Sequence, residues 1–438
     1  MADILPFRAF RYDPQKVSYA QVVTQPYDKI TTEMQKRYYA ASPYNLVRII
    51  LGRGEPNDNP ANNVYVRAAA NFRDWRGKQV IRQDAQPSIY SYTQRFSPPQ
   101  AYGKAEGTTL ERRGFIALGR VEDYSQQVVF RHEQTLSKPK ADRLELLRAT
   151  RAHFGQLFML YEDDGQVDAL LSTEHEPAIS VTDEYGVVHS LKPVADASVI
   201  AAVQDAMKDK KLIIADGHHR YETALNYRNE QREAAGKNAS PEAPYEFAMM
   251  TFVNMKSPAL VILPTHRVVH GLAEFSADEF RKSAKKYFDV EEVDGAITGT
   301  CALATLRECG RAGTTILAVA AQRAFLLHHP NPNANETFRG VSVRQQALDV
   351  VQLHKCLLEH VLGLSEESIR NQQNLSYLRD ANGALTQVRE GRANVAFLMN
   401  PCRMAQVRDI AFAGEVMPQK STDFYPKLLS GLAIYALD

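Results

Sequence analysis

Lys211–Leu225, KLIIADGHHRYETAL, sets an apolar run directly before an acid, a glycine, two histidines and an arginine. Leu212, Ile213 and Ile214 read as the end of a buried strand. From Tyr221 the chain, YETALNYRNEQREAA, reads as a helix of good helix formers that runs to Ala235 and stops at the polar loop AAGKNASPEAP. Gly217 lets the backbone turn sharply and lets a ligand come close. A helix that starts here presents unpaired amides and a positive partial charge, which suits a phosphate. His218, His219 and Arg220 add cationic or hydrogen-bonding groups at the same end, and Arg220 can grip an oxyanion with two parallel bonds. Asp216 suits a magnesium ion or a substrate hydroxyl.

The plainer reading makes Asp216 a helix cap and leaves the histidines in solvent. Capping accounts for the acid. It does not account for two imidazoles and a guanidinium at the positive end of a helix, where like charge costs up to about 1 kcal/mol. Zinc on His218 and His219 is the weaker alternative, because adjacent histidines do not easily reach one metal and no HExxH spacing is present.

The 438 residues predict two or three domains. With 52 basic and 51 acidic residues the net charge is +1, which argues against binding nucleic acid by bulk charge. The four cysteines, Cys301, Cys309, Cys356 and Cys402, form no CxxC pair and read as reduced thiols. No stretch approaches the roughly 18 apolar residues of a membrane span, and MADILPFRAFRYDP is no secretory signal. The expectation is a cytoplasmic protein without a membrane anchor; nothing in the sequence fixes its oligomeric state.

Strands and helices are interspersed, with several strands in hairpins: 88–96 with 112–124, and 178–191 with its turn at Glu184–Gly186. Residues 31–41, 63–76, 140–156, 195–209 and 342–362 read as helices, and 42–51 as a loop into a strand. This favours a mixed α+β fold over a purely parallel sheet. No glycine-rich dinucleotide fingerprint and no GxxxxGK[ST] loop occurs.

Three further polar segments stand out. FRHEQTLSKPKADR (130–143) holds His132, Glu133, Lys138, Lys140, Asp142 and Arg143, where a carboxylate beside a histidine can act as a base. QPYDKI (25–30) carries Asp28, and the related SPYNLVRI (42–49) carries Asn45 and Arg48. MPQKSTDFYPK (417–427) offers Lys420, Ser421 and Thr422 in a proline-bounded loop, with Lys427 adding charge. Each has an ordinary counterpart, a charged loop or a proline turn. His270, His328 and His329 read as surface or structural. Together the segments hold the inventory of phosphoryl or phosphate-ester chemistry, which is mostly positioning and charge stabilisation.

These segments, in this order, resemble the successive motifs of domain-of-unknown-function family 1015 over nearly the whole chain. The strand–DGHHR–helix element is also similar, more distantly, to the ParB/sulfiredoxin-like superfamily, and within it to the free serine kinases. That resemblance implies a ParB/sulfiredoxin-like mixed sheet core in residues 1–265; beyond it, where the resemblance offers no counterpart, the chain reads as a small α/β subdomain in 266–340 and a C-terminal α+β region in 341–438 that contributes the MPQKST loop. It further implies a magnesium-dependent small-molecule phosphotransferase using ATP or ADP, with free serine or a similar hydroxyl compound as acceptor. Asp216, Gly217, His218, His219 and Arg220 would then match the phosphate-handling segment. Glu133, chosen by character and order, would be the base, with Asp28 second. Lys140, Arg143, Lys420 and Ser421 would be secondary anion contacts, and Asp216 the metal ligand. The alternatives are a ParB-like nucleotide switch, or a phosphatase or nuclease using the same anion site.

Overall fold

Along the strand Leu212–Asp216, Leu212 and Ile214 enter one apolar cluster while Ile213 and Ala215 enter another. The same alternation recurs in Leu157–Tyr161, where Leu157, Met159 and Tyr161 face one cluster and Phe158 and Leu160 the other. Strands read as continuous apolar runs because the sheet is covered on both faces. In the computed structural model, which describes residues 2–99, 107–134, 138–172, 177–331 and 335–438, this is a nine-stranded mixed sheet. Its order is Val129–Phe130, Leu212–Asp216, Leu157–Tyr161, Phe247–Asn254, Leu110–Arg120, Ile89–Phe96, Val188–Val194 and Ile179–Thr182, with Ile4–Leu5 pairing on Leu110–Arg120. The predicted hairpins at 88–124 and 178–191 are antiparallel pairs of this sheet. Residues 100–106 of the polar loop between the first pair lie outside the described residues.

A second sheet of six strands runs Asp289–Val293, Arg323–His328, Thr315–Ala320, Val395–Met399, His266–Val269 and Leu375–Leu378. It draws strands from both sides of residue 340. One of its faces, with Ile316, Ala318, Val395 and Phe397, packs into the same apolar cluster as the first sheet. Its other face, with Leu317, Val319 and Leu398, packs with residues of the helices Gly299–Cys309 and Ala381–Arg389. The fold is α+β.

The C-terminal segment leaves the second unit and returns to the first. Asp423–Tyr425 pairs antiparallel with Val261–Leu263, and Tyr435–Ala436 with Ala152–His153. Met417 bridges to Glu133, its amide donating to the His132 carbonyl at 2.8 Å. This return carries residues 417–427 back to the end of the Leu212–Asp216 strand.

Three local readings change: the helix expected over 342–362 is broken at Leu348, whose extended backbone separates Val343–Gln346 from the helical run 349–361. Residues 47–50 form a helical turn, Val47–Ile50, where a strand was expected. The Asn45 side chain accepts from the Val47 amide and donates to the Gln21 carbonyl, starting the turn and tying it to Tyr19–Val22. The helix expected over 140–156 is Lys138–Thr150, and the chain then turns through Arg151 at φ +49° into the pair Ala152–His153. No helix among the described residues is long and apolar enough to cross a membrane.

Candidate active site

The site grows from the junction at residue 216. Pairing of Leu212–Asp216 with Leu157–Tyr161 slips between Ile214 and Asp216, an irregularity that re-aims the last side chain of the strand. Gly217 follows at φ +96° and occupies the N-cap position of the helix His218–Ala235. The backbone requires glycine here, and a Cβ would in addition press on the Arg220 guanidinium at 2.9 Å. No side chain caps this helix. The Asp216 carboxylate accepts from the Gly217 amide at 3.0 Å instead of from the first helical turn. The plain capping role is therefore not the one the acid plays.

A cleft of about 500 Å³ opens in front of this junction. The strand–helix segment lines it with Asp216, Gly217, His218, His219 and Arg220. The short turn Tyr27–Lys29 contributes all three of its residues. Glu133 and Gln134 come from the second polar segment, and Lys420, Thr422, Asp423 and Lys427 from the returning C-terminal loop. The far wall is the second sheet, with Thr265, Gln372 and Ser376 through Arg379. Parts of all four polar constellations thus share one cavity.

Charges in the cleft are interlocked. Lys427 Nζ lies 3.4 Å from an Asp216 oxygen and 3.1 Å from an Asp423 oxygen, and Arg379 pairs with Asp423. Burial opposes the Asp216 charge, but Lys427, then Arg220 and Lys29, outweigh it and hold the carboxyl below its ordinary range. Burial works against the Lys427 ammonium too, and Asp216, Asp423 and Asp28 more than restore it. Lys29 is pushed the other way: burial, then the nearby Lys427, lowers it. Glu133 accepts from the Lys420 amide at 2.5 Å, yet burial raises its pKa above 4.5, against the pull of Lys420 and Arg267. Lys420 itself sits at φ +58°, and its carbonyl accepts from buried Arg267 at 3.1 Å, which fixes the loop.

Burial disfavours the charged form of the two histidines beside the junction. His132 is fully buried, with Nδ1 2.8 Å from the Ile214 carbonyl and Nε2 2.8 Å from the Thr422 hydroxyl. The carbonyl can only accept, so Nδ1 carries the proton and the Thr422 hydroxyl donates to Nε2. Burial lowers His132 to about 4. The His218 ring lies edge-on to it at 4.8 Å, and burial, then His132, pushes His218 well below its ordinary value.

Not every expected residue reaches the cleft. The Ser421 hydroxyl donates to the Pro418 carbonyl inside its own loop at 2.5 Å, and Thr422 lines the cavity in its place. Arg143 lies over the Tyr27 ring at 4.1 Å, donates to the Ile50 carbonyl at 2.7 Å and lines a smaller adjoining cavity. It acts on the cleft only by bracing Tyr27. Arg220 spans both cavities, with one nitrogen committed to the Gln156 carbonyl at 2.6 Å. Lys140 lies on a helical stretch whose side chains fall outside the description. Asn45 and Arg48 build local structure away from the cleft, Arg48 donating to the Tyr39 carbonyl at 2.9 Å. Sequence reasoning passed over Lys29 and Asp423, which stood inside quoted motifs, and the wall 372–379. In NQQNLSYLRD nothing local marks Gln372 or Arg379, because the sheet register alone brings them there.

Fold and site together define a two-sheet α+β protein with a charge-lined cleft at a strand–helix junction. The chain belongs to DUF1015, a family described as a protein of unknown function, whose model matches residues 4–351. No curated protein matches it. Among solved structures it is similar to a free serine kinase in complex with AMP, at 12% identity and a TM-score of 0.35, covering 68% of this chain and 83% of that one. A free serine kinase variant in complex with ADP gives 12%, 0.35, 68% and 84%. SbnI with a C-terminal truncation, from Staphylococcus aureus, gives 10%, 0.34, 72% and 85%.

Proposed function

We propose that the cleft is the active site of a small-molecule phosphotransferase, which passes a phosphoryl group from ATP or ADP to a hydroxyl compound such as free serine. The observation that carries this reading is the meeting, in one cavity, of a side-chain-uncapped helix start with Lys29, Arg220, Arg379, Lys420 and Lys427. Phosphoryl transfer asks for just such a set: donors and cations around anionic oxygens, and one carboxylate near the attacking hydroxyl. In this reading the helix amides, His219, Lys420 and Arg220 take the phosphates. Glu133, raised by burial, takes the proton of the acceptor hydroxyl. Buried, neutral His218 and His132 hold the junction and Thr422 in place and carry no charge to the phosphates. The ParB/sulfiredoxin-like kinship belongs to this reading and rests on the strand–DGHHR–helix element.

Asp28, Asp216 and Asp423 line the cleft and suit a magnesium ion, which is held by one or two carboxylates together with substrate phosphates. Both Asp216 oxygens already have partners, the Gly217 amide and Lys427, so a metal on Asp216 would compete with Lys427. Magnesium, when bound, would offset charge on the phosphoryl oxygens.

The test incubates the protein with magnesium, ATP or ADP, and a panel of hydroxyl compounds that includes L-serine, followed by mass spectrometry and phosphorus NMR. A phosphorylated acceptor, lost in Lys420→Ala and Glu133→Gln, is the expected result. Inorganic phosphate as the sole product would replace this reading with hydrolysis. Nucleotide binding without turnover would replace it with a switch.

A further inference from the structure

On the outer edge of the second sheet, far from the cleft in the strand order, three metal-ligating side chains converge. Asp289 opens the edge strand Asp289–Val293 and pairs in register with His328, the last residue of Arg323–His328. Directly opposed residues in an antiparallel pair put their side chains on one face, about 5 Å apart at Cβ. His329 follows at φ +45°, a left-handed conformation uncommon outside glycine. That backbone turn removes the usual objection to adjacent histidines. It swings the second ring edge-on to the first, with centroids 4.4 Å apart.

The two Nδ1 atoms stand 2.9 Å apart, and His329 Nδ1 is 3.2 Å from Asp289 Oδ2. One ligand atom from each residue lies within 4.8 Å of the others. His329 Nδ1 can donate one hydrogen or accept one, yet it faces both the Asp289 carboxylate and the other imidazole nitrogen. A cation would satisfy all three atoms at once. Around a tetrahedral zinc ion with bonds of about 2.0–2.2 Å, ligand atoms sit roughly 3.3 Å from one another. The 2.9 and 3.2 Å separations fall within a few tenths of an ångström of that spacing, and the three ligand atoms all lie within 4.8 Å of one another.

We propose that Asp289, His328 and His329 form a site for a divalent transition ion of the zinc class. Two neutral imidazoles and one carboxylate suit zinc, cobalt, nickel or copper, and are a poor match for magnesium, which favours oxygen. The ion links the edge strand to the segment that follows Arg323–His328, and water fills the remaining coordination position. His328 and His329, read from the sequence as surface or structural, become ligands on a surface.

The test uses full-length protein free of any histidine tag and stripped with chelator. Zinc is titrated by calorimetry, and cobalt by its visible absorption. The expected result is one zinc per chain at micromolar affinity, with a cobalt spectrum of low coordination number. His329→Ala and Asp289→Asn each weaken zinc at least tenfold, and Glu133→Gln in the cleft leaves it unchanged. No binding at 100-fold excess over protein, or an affinity that survives both edge variants, overturns the site. Neither outcome bears on phosphoryl transfer, which is read separately.

Discussion

Lys427 Nζ stands 3.1 Å from Asp423 and 3.4 Å from Asp216, so one buried ammonium joins the returning C-terminal loop to the strand–helix junction. Removing it leaves Asp216 without its ion-pair partner and Asp423 with Arg379 alone. Lys427→Met is expected to cost about 3–5 kcal/mol, the range for breaking a buried pair from one side. Urea denaturation measures this. Adding Asp216→Asn to that variant should recover part of the loss, and a double variant no better than the single one would show that the pair does not couple.

As the proposed base, Glu133 would carry the acid limb of the reaction. Its folded pKa lies above the ordinary 4.5 because burial disfavours the charge. As a base it must be ionised, so kcat is expected to rise with pH through a limb displaced above 4.5. Glu133→Gln should lower kcat by about 10²–10⁴-fold and abolish that limb. An unchanged pH profile in this variant would assign the base elsewhere, with Asp28 next.

Stability toward acid should report the buried histidines. His132, His153 and His266 are each lowered to about 4 by burial. In the unfolded chain they take up protons near 6.5, so between about 6.5 and 4 the unfolded state binds more protons. Stability is therefore expected to fall as pH drops through that window, and to be flat in this respect above it. Thermal melts at pH 7.5, 6 and 5 check the sign. His132→Gln should make the fall shallower.

Gly217→Ala tests the junction itself. A Cβ at φ +96° is strained and meets Arg220 at 2.9 Å. The expected cost is roughly 1–2 kcal/mol from the backbone alone. Nucleotide affinity should fall by more than the same substitution at Gly186, which lies in the hairpin turn with nothing within 4 Å of its Cβ. Equal effects at the two glycines would mean that the close approach to Arg220 is irrelevant to binding.

The strands and helices around the junction were readable because their apolar patterns are long. Leu212–Asp216, its helix and the two hairpins fall close to where periodicity puts them. The Val47–Ile50 turn was misread because VRII is β-branched and short, and the Asn45 side chain overrode that preference. In the cleft, polar residues that violate local pattern, Asp216 through Arg220 and Lys420, were legible for that reason. Ser421 was not separable from Thr422 in sequence, since only the loop's own bond to Pro418 turns one inward. Gln372 and Arg379 gave no signal, because their place depends on which strand of the second sheet faces the first.

The return of the C-terminal segment sets the order in which the machinery can exist. Everything up to residue 416 supplies the first sheet, the second and the uncapped helix, yet Lys420, Thr422 and Lys427 leave the ribosome afterward. A nascent chain would carry Asp216 without Lys427 and Glu133 without the Lys420 amide until those residues emerge. A chain cut before residue 417 would therefore lack the side of the cleft that Lys420, Thr422, Asp423 and Lys427 build.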